Sequence, residues 1–132
     1  MNIVIAGCGR VGGRLGTVLD AEGHKVTVMD IDGDSFRFLG PGFRGNAIIG
    51  DGTDDDDLVR ADIDDTDVFV AATRADSCNL LAAQKAKIQF KVPKVVCRLY
   101  DPVQKDLFRD FGVETVTPTT VTVELLKDAI ER

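Results

Sequence analysis

The chain has 132 residues, 44% of them hydrophobic and 29% charged, with a formal charge of −6 at pH 7. That length suits one domain spanning 1–132, which buries roughly two-thirds of its unfolded surface and needs no staples. An acidic chain without a clear basic cluster argues against binding a phosphate backbone, so no nucleic-acid partner is expected.

Cys8, Cys78 and Cys97 are scattered and odd in number, no C-x-x-C occurs, and His24 alone cannot complete a Cys/His zinc cage. Reduced thiols in a cytoplasmic protein are expected. The longest apolar runs, such as 67–72, are strand-sized and too short to cross a bilayer. Met1-Asn2 leads straight into a strand with no basic n-region, so no signal peptide is read there. Any attachment to a membrane is therefore expected to run through a partner, without direct insertion.

Short β-branched runs alternate with helix-patterned segments along the chain. Ile3–Ala6 reads as the first strand and Val11–Glu22 as a helix, stopped by Gly23. Lys25–Asp30 is the second strand, and a helix over Asp34–Leu39 ends at the breakers Gly40-Pro41-Gly42. Asn46–Ile49 is the third strand, followed by a short helix over Thr53–Arg60. Within it, the carboxylates of Asp54–Asp57 favour the positive helix end and stay in water, a reading preferred to a divalent-cation site. Val68–Ala71 is the fourth strand, Asp76–Ile88 a longer helix, and Val95–Arg98 the fifth strand. Pro102–Phe111 reads as a helix, Val113–Val116 as the sixth strand, and Pro118–Ile130 as a closing helix with proline in its first turn. Near-continuous apolar strands, each followed by a helix, predict a doubly wound α/β (Rossmann) fold. Its six-stranded, mainly parallel sheet should carry helices on both faces.

The chemistry concentrates at Gly7-Cys8-Gly9-Arg10-Val11-Gly12, a G-x-G-x-x-G run that closes a strand and opens a helix. Gly7 permits the tight turn, Gly9 lets a pyrophosphate approach the backbone, and Gly12 lets the helix pack closely on the strand. Unpaired N–H groups at the helix start, with the positive end of its dipole, suit phosphates. Asp30 ends the second strand, eighteen residues after Gly12, where a carboxylate accepts hydrogen bonds from the ribose hydroxyls and repels a 2′-phosphate. NAD is thereby favoured over NADP.

Arg10 sits inside the glycine loop, where its guanidinium either takes a phosphate bidentately or is a surface arginine. Gly50-Asp51-Gly52-Thr53 follows the third strand on the ligand-bearing edge; Asp51 either meets the adenine or belongs to a turn with Thr53 as helix cap. Thr73 and Arg74 follow the fourth strand on that edge, and Arg98 ends the fifth, facing a distal phosphate or an interface carboxylate. His24 lies at the opposite edge and reads as structural. Tyr100 and Lys105 are five apart, so the Tyr-x-x-x-Lys pair of short-chain dehydrogenases is missing, as are a G-x-S-x-G elbow and a G-K-[S/T] loop. No catalytic cluster and no metal site are expected.

Taken together, 1–12, Asp30, the Gly50–Thr53 block, Ala72-Thr73, Asp76–Asn79 and Arg98 resemble the RCK domain, also called KTN or TrkA-N. The resemblance covers essentially the whole chain. It implies a non-catalytic ligand sensor of the kind that regulates Trk- and Ktr-type potassium uptake systems, channels and antiporters from the cytoplasmic side of the membrane. It also implies binding of NAD(H), ATP, ADP or AMP, and homo-oligomers from dimers to rings of eight that pass a conformational change to a membrane pore. The implied contacts are Gly7, Cys8, Gly9, Arg10 and Val11, then Asp30, Asp51, Thr73, Arg74 and Arg98. Many members continue into a smaller C-terminal ligand domain that 1–132 does not include. The competing reading is the cofactor domain of an NAD-dependent oxidoreductase.

Overall fold

The computed structural model describes residues 1–101 and 105–132. Six strands form one sheet: β1 (Asn2–Ala6), β2 (Lys25–Asp30), β3 (Asn46–Ile49), β4 (Val68–Ala71), β5 (Lys94–Arg98) and β6 (Val113–Val116). Their order is β3-β2-β1-β4-β5-β6, and every adjacent pair is parallel. The sheet expected to be mainly parallel is thus wholly so. The helices are α1 (Arg10–Ala21), α2 (Asp55–Arg60), α3 (Asp76–Gln84), α4 (Lys105–Asp110) and α5 (Pro118–Glu131). Of the helix expected over 102–111, residues 102–104 lie outside the described residues.

Alternation along the strands builds two core layers. Val4, Met29, Phe69, Val95 and Val113 face one side, where they meet Leu58 of α2, Ala82 and Ala83 of α3, and Phe108 of α4. Ile3, Ile5, Val26 and Val28 face the other side and meet Leu15 and Leu19 of α1 together with Phe36 and Leu39. Helices cover both faces as predicted, though unevenly. No residue of α5 is buried, and Val68, Val70 and Val96 on the α1 side of the sheet stay partly exposed.

Three elements differ from the sequence reading. The segment after β2 is a 3-10 helix over Gly33–Phe38, not an α-helix, and the Asp32 carboxylate caps it by accepting from Asp34 N–H. Phe36 and Leu39, three apart, face the core there, which matches the three-residue turn of a 3-10 helix. The cap of α2 is Asp54 and not Thr53; its side chain accepts from Asp57 N–H at 3.0 Å. Finally, the helix expected over Asp76–Ile88 is α-helical only to Gln84 and continues as a π-helical turn over Lys85–Gln89.

Candidate functional site

The sheet order reverses between β1 and β4, and strands leave this point in opposite directions, opening a crevice at their C-terminal ends. The glycine loop enters that crevice. Gly7 has φ +109°, and a Cβ there would lie 2.7 Å from the carbonyl carbon of Ala72 and 2.8 Å from Thr73 N. A Cβ on Gly12 would stand 1.9 Å from the Gly7 carbonyl oxygen, so the loop and the first turn of α1 touch backbone to backbone. At Gly9 the situation is reversed: a Cβ would meet no atom within 4 Å. Gly9 caps α1 without any side-chain hydrogen bond, leaving the first-turn N–H groups to an external acceptor. The two outer glycines are needed for the fold, whereas the open space at Gly9 suits an anion.

Asp30 is tied to this loop directly. Its Oδ2 accepts from Cys8 N–H at 2.8 Å and its Oδ1 from Asp32 N–H at 2.9 Å. The carboxylate is therefore held at the lip of the crevice with lone pairs left over for hydroxyl donors. Burial, with the Asp30 charge adding to it, pushes the Cys8 thiol up to about 11, so Cys8 serves as a small packing residue beside the acid.

On the β3 side, Asp51 Oδ1 accepts from the N–H and the hydroxyl of Thr53 at 2.8 and 2.7 Å, while Asp51 N–H donates to Asp57. Asp51 thus builds a turn with Thr53, which rigidifies its carboxylate. Gly52 lies over the end of β1, where a Cβ would be 2.8 Å from that of Ala6. The neighbouring acids are engaged: Asp55 with Lys85 and Gln89, Asp57 with Arg60. The hydrogen bonds from Lys85 and Gln89 hold the Asp55 carboxyl below the usual carboxylate range. Among the described residues no group of three or more acids, cysteines or histidines is placed to hold a metal ion.

Beyond β4, Thr73 and Arg98 come together through a residue that the sequence reading gave no role. Asn79 is fully buried; its Oδ1 accepts from Thr73 N–H at 2.9 Å and Thr73 Oγ1 at 2.6 Å, and its Nδ2 donates to the carbonyls of Thr73 and Arg98, both at 3.0 Å. Asp76, one turn earlier, accepts from the N–H groups of Tyr100 and Asp101. The Arg98 guanidinium lies 4.6 Å over the Tyr100 ring and donates to its hydroxyl, and the Arg98 Nε is buried without a partner among the described residues. Arg10, Val11 and Arg74 are exposed at the mouth. His24 sits away from the crevice, its Nδ1 3.2 Å from the Met1 amino group.

An all-parallel sheet with its reversal at a glycine-rich strand-to-helix turn, and an acid closing the second strand, defines the class of dinucleotide-fold domains. The family is more particular. The profile of the TrkA-N domain matches residues 3–118, and the chain belongs to that family. It is 40% identical over 124 residues to the Trk system potassium uptake protein TrkA of Streptomyces coelicolor, covering 94% of this chain and 56% of that one. A TrkA homolog of Methanothermobacter thermautotrophicus is 32% identical over 133 residues, covering all of this chain and 61% of that one. The chain therefore spans somewhat over half the length of these relatives. Among solved structures, the Kef C-terminal domain of Shewanella denitrificans in its AMP-bound form superposes with a TM-score of 0.79 at 24% identity, over 99% of this chain and 80% of that one.

Proposed function

We propose that residues 1–132 act as one nucleotide-sensing domain in a regulatory subunit of a membrane potassium transporter or channel. The ligand is NAD(H) or an adenosine phosphate (ATP, ADP or AMP). The observation that carries this reading is the pairing of an uncapped α1 start, open above Gly9, with the Asp30 carboxylate anchored on the Cys8 N–H. Gly7 to Gly12 cradle the phosphates and Asp30 accepts from the ribose hydroxyls. Asp51 lies toward the adenine, and Thr73, Arg74 and Arg98 take the distal half of the ligand.

The domain is a switch, not an enzyme, and works on the cytoplasmic side of the membrane. Its relatives' names support the potassium-uptake context, and no helix among the described residues is long and apolar enough to cross a membrane. Coupling requires different nucleotide affinities for two shapes of an assembly, since equal affinity shifts nothing. The uncovered α5 and the half-covered face of the sheet supply the surface for a homo-oligomer, from a dimer to a ring of eight.

A thermal-shift series tests the ligand. NADH or an adenosine phosphate should raise Tm with concentration, and NADPH should do so clearly less, because Asp30 opposes a 2′-phosphate. Replacing Asp30 by Ala should cost about 1.5–3 kcal/mol of binding, the worth of hydrogen bonds to a charged group. Equal stabilisation by NADH and NADPH would remove Asp30 from the site.

A further inference from the structure

Past Ala71 the ladder between β4 and β5 is finished; the last registered pair is Ala71 with Cys97. Arg98 is still held on its other side by β6, opposite Val116, but its carbonyl has no strand to pair with toward β4. The Asn79 amide takes the place of that missing strand. It accepts twice from Thr73 and donates once to Thr73 and once to Arg98, so all four of its hydrogen-bonding positions are used. A buried amide so fully satisfied fixes its partners strongly, because any movement of Thr73 or Arg98 would strand a buried donor or acceptor. The guanidinium of the same Arg98 lies over the Tyr100 ring and donates to its hydroxyl, while its Nε is buried and unpartnered among the described residues.

We propose that Asn79 is a positioning residue for the ligand's distal end: it locks Thr73 and Arg98 into one unit so that the Arg98 guanidinium meets the negative group beyond the first phosphate. This rests on the nucleotide reading above. AMP, which ends at its first phosphate, depends on the glycine loop and Asp30, whereas ATP and NADH also engage the part that Asn79 holds. Asn79→Asp separates the two halves of the clamp. It keeps an acceptor for Thr73 but turns the donor into a carboxylate oxygen facing two carbonyls.

The experiment is a calorimetric double-mutant cycle on wild-type protein, Asn79→Asp, Arg98→Ala and the double variant, titrated with AMP, ATP and NADH. Asn79→Asp should weaken the longer nucleotide roughly tenfold or more and AMP less than about threefold. In the Arg98→Ala background the Asn79→Asp loss should shrink below about threefold, since the group it positions is gone. An undiminished loss in that background, or equal losses for AMP and ATP, would overturn the proposal, because either marks a general loosening. The side-chain amide resonances of Asn79 in folded wild-type protein give a second reading: they should shift with ATP or NADH and stay in place with AMP, and identical shifts for both would contradict the role. Wild-type protein that binds none of the three would overturn the nucleotide reading and this proposal with it; normal wild-type binding with an inert Asn79 overturns the proposal alone.

Discussion

At Gly12 an added Cβ would sit 1.9 Å from a carbonyl oxygen, whereas at Gly9 it would enter open space. The two glycines therefore respond oppositely to the same methyl group. Gly12→Ala should lower unfolding stability by roughly 2–4 kcal/mol in urea, since α1 must move off the loop. Gly9→Ala, at φ −89° and ψ −156°, should stay within about 1 kcal/mol of wild type. Equal stabilities would contradict the account of the loop. The thiols give a second check at this scale. Burial, with Asp76 adding, pushes Cys97 up to about 12, and Cys8 stands near 11, so neither forms appreciable thiolate at pH 8, while Cys78 is exposed. A thiol-reactive disulfide reagent at pH 8 should label one cysteine per native chain and three after denaturation; two or more fast labels on native protein would contradict the burial. The glycines and Asp30 were legible in the sequence because their constraint is local: the sign of φ, room for a Cβ, one carboxylate at a strand end. Asn79 stood in the 76–79 block that carries the family resemblance, but its role could not be read, since its partners lie 6 and 19 residues away and an amide inside a helix has no periodic signature.

Among elements, the strands could be read closely, because a parallel sheet covered on both faces demands continuous apolar runs. Helix ends were less legible. The α3 helix closes through a π turn in which Phe90 N–H donates to the Lys85 carbonyl and Val92 N–H to that of Ala86. Lys91 then takes φ +56°, the left-handed conformation that favours glycine. Nothing in the residue Lys91 announces this; the need arises from turning the chain into β5. Lys91→Gly should therefore stabilise the domain by about 0.5–1 kcal/mol, readable as a higher urea midpoint at unchanged slope. A lower midpoint would mean that the lysine side chain outweighs its backbone strain. The last helix differs again. Val121, Leu125, Leu126 and Ile130 recur at helical spacing along α5, yet all four are exposed. Pattern alone cannot say whether an apolar stripe meets its own sheet or another surface.

For the whole molecule, the parallel sheet and the reversal of its order place five separate stretches of chain at the C-terminal ends of the strands: the loop at 7–12, Asp30, the turn at 50–53, Thr73 and Arg98. The apolar surface left on α5 sets the expectation for assembly. Protein at tens of micromolar should sediment as a dimer or larger, and Leu125→Asp with Leu126→Asp, or removal of residues after Thr117, should lower that order. A wild-type monomer with and without nucleotide would contradict self-association of 1–132. The phosphates of an adenine nucleotide are proposed to occupy the space above Gly9, which a calorimetric comparison of wild-type protein with Gly9→Val probes. Wild-type protein should bind NADH or at least one of ATP, ADP and AMP, while the valine variant keeps the wild-type circular dichroism and binds roughly a hundredfold more weakly or not at all. Unchanged affinity in a folded Gly9→Val protein, or no binding by the wild type, would contradict it.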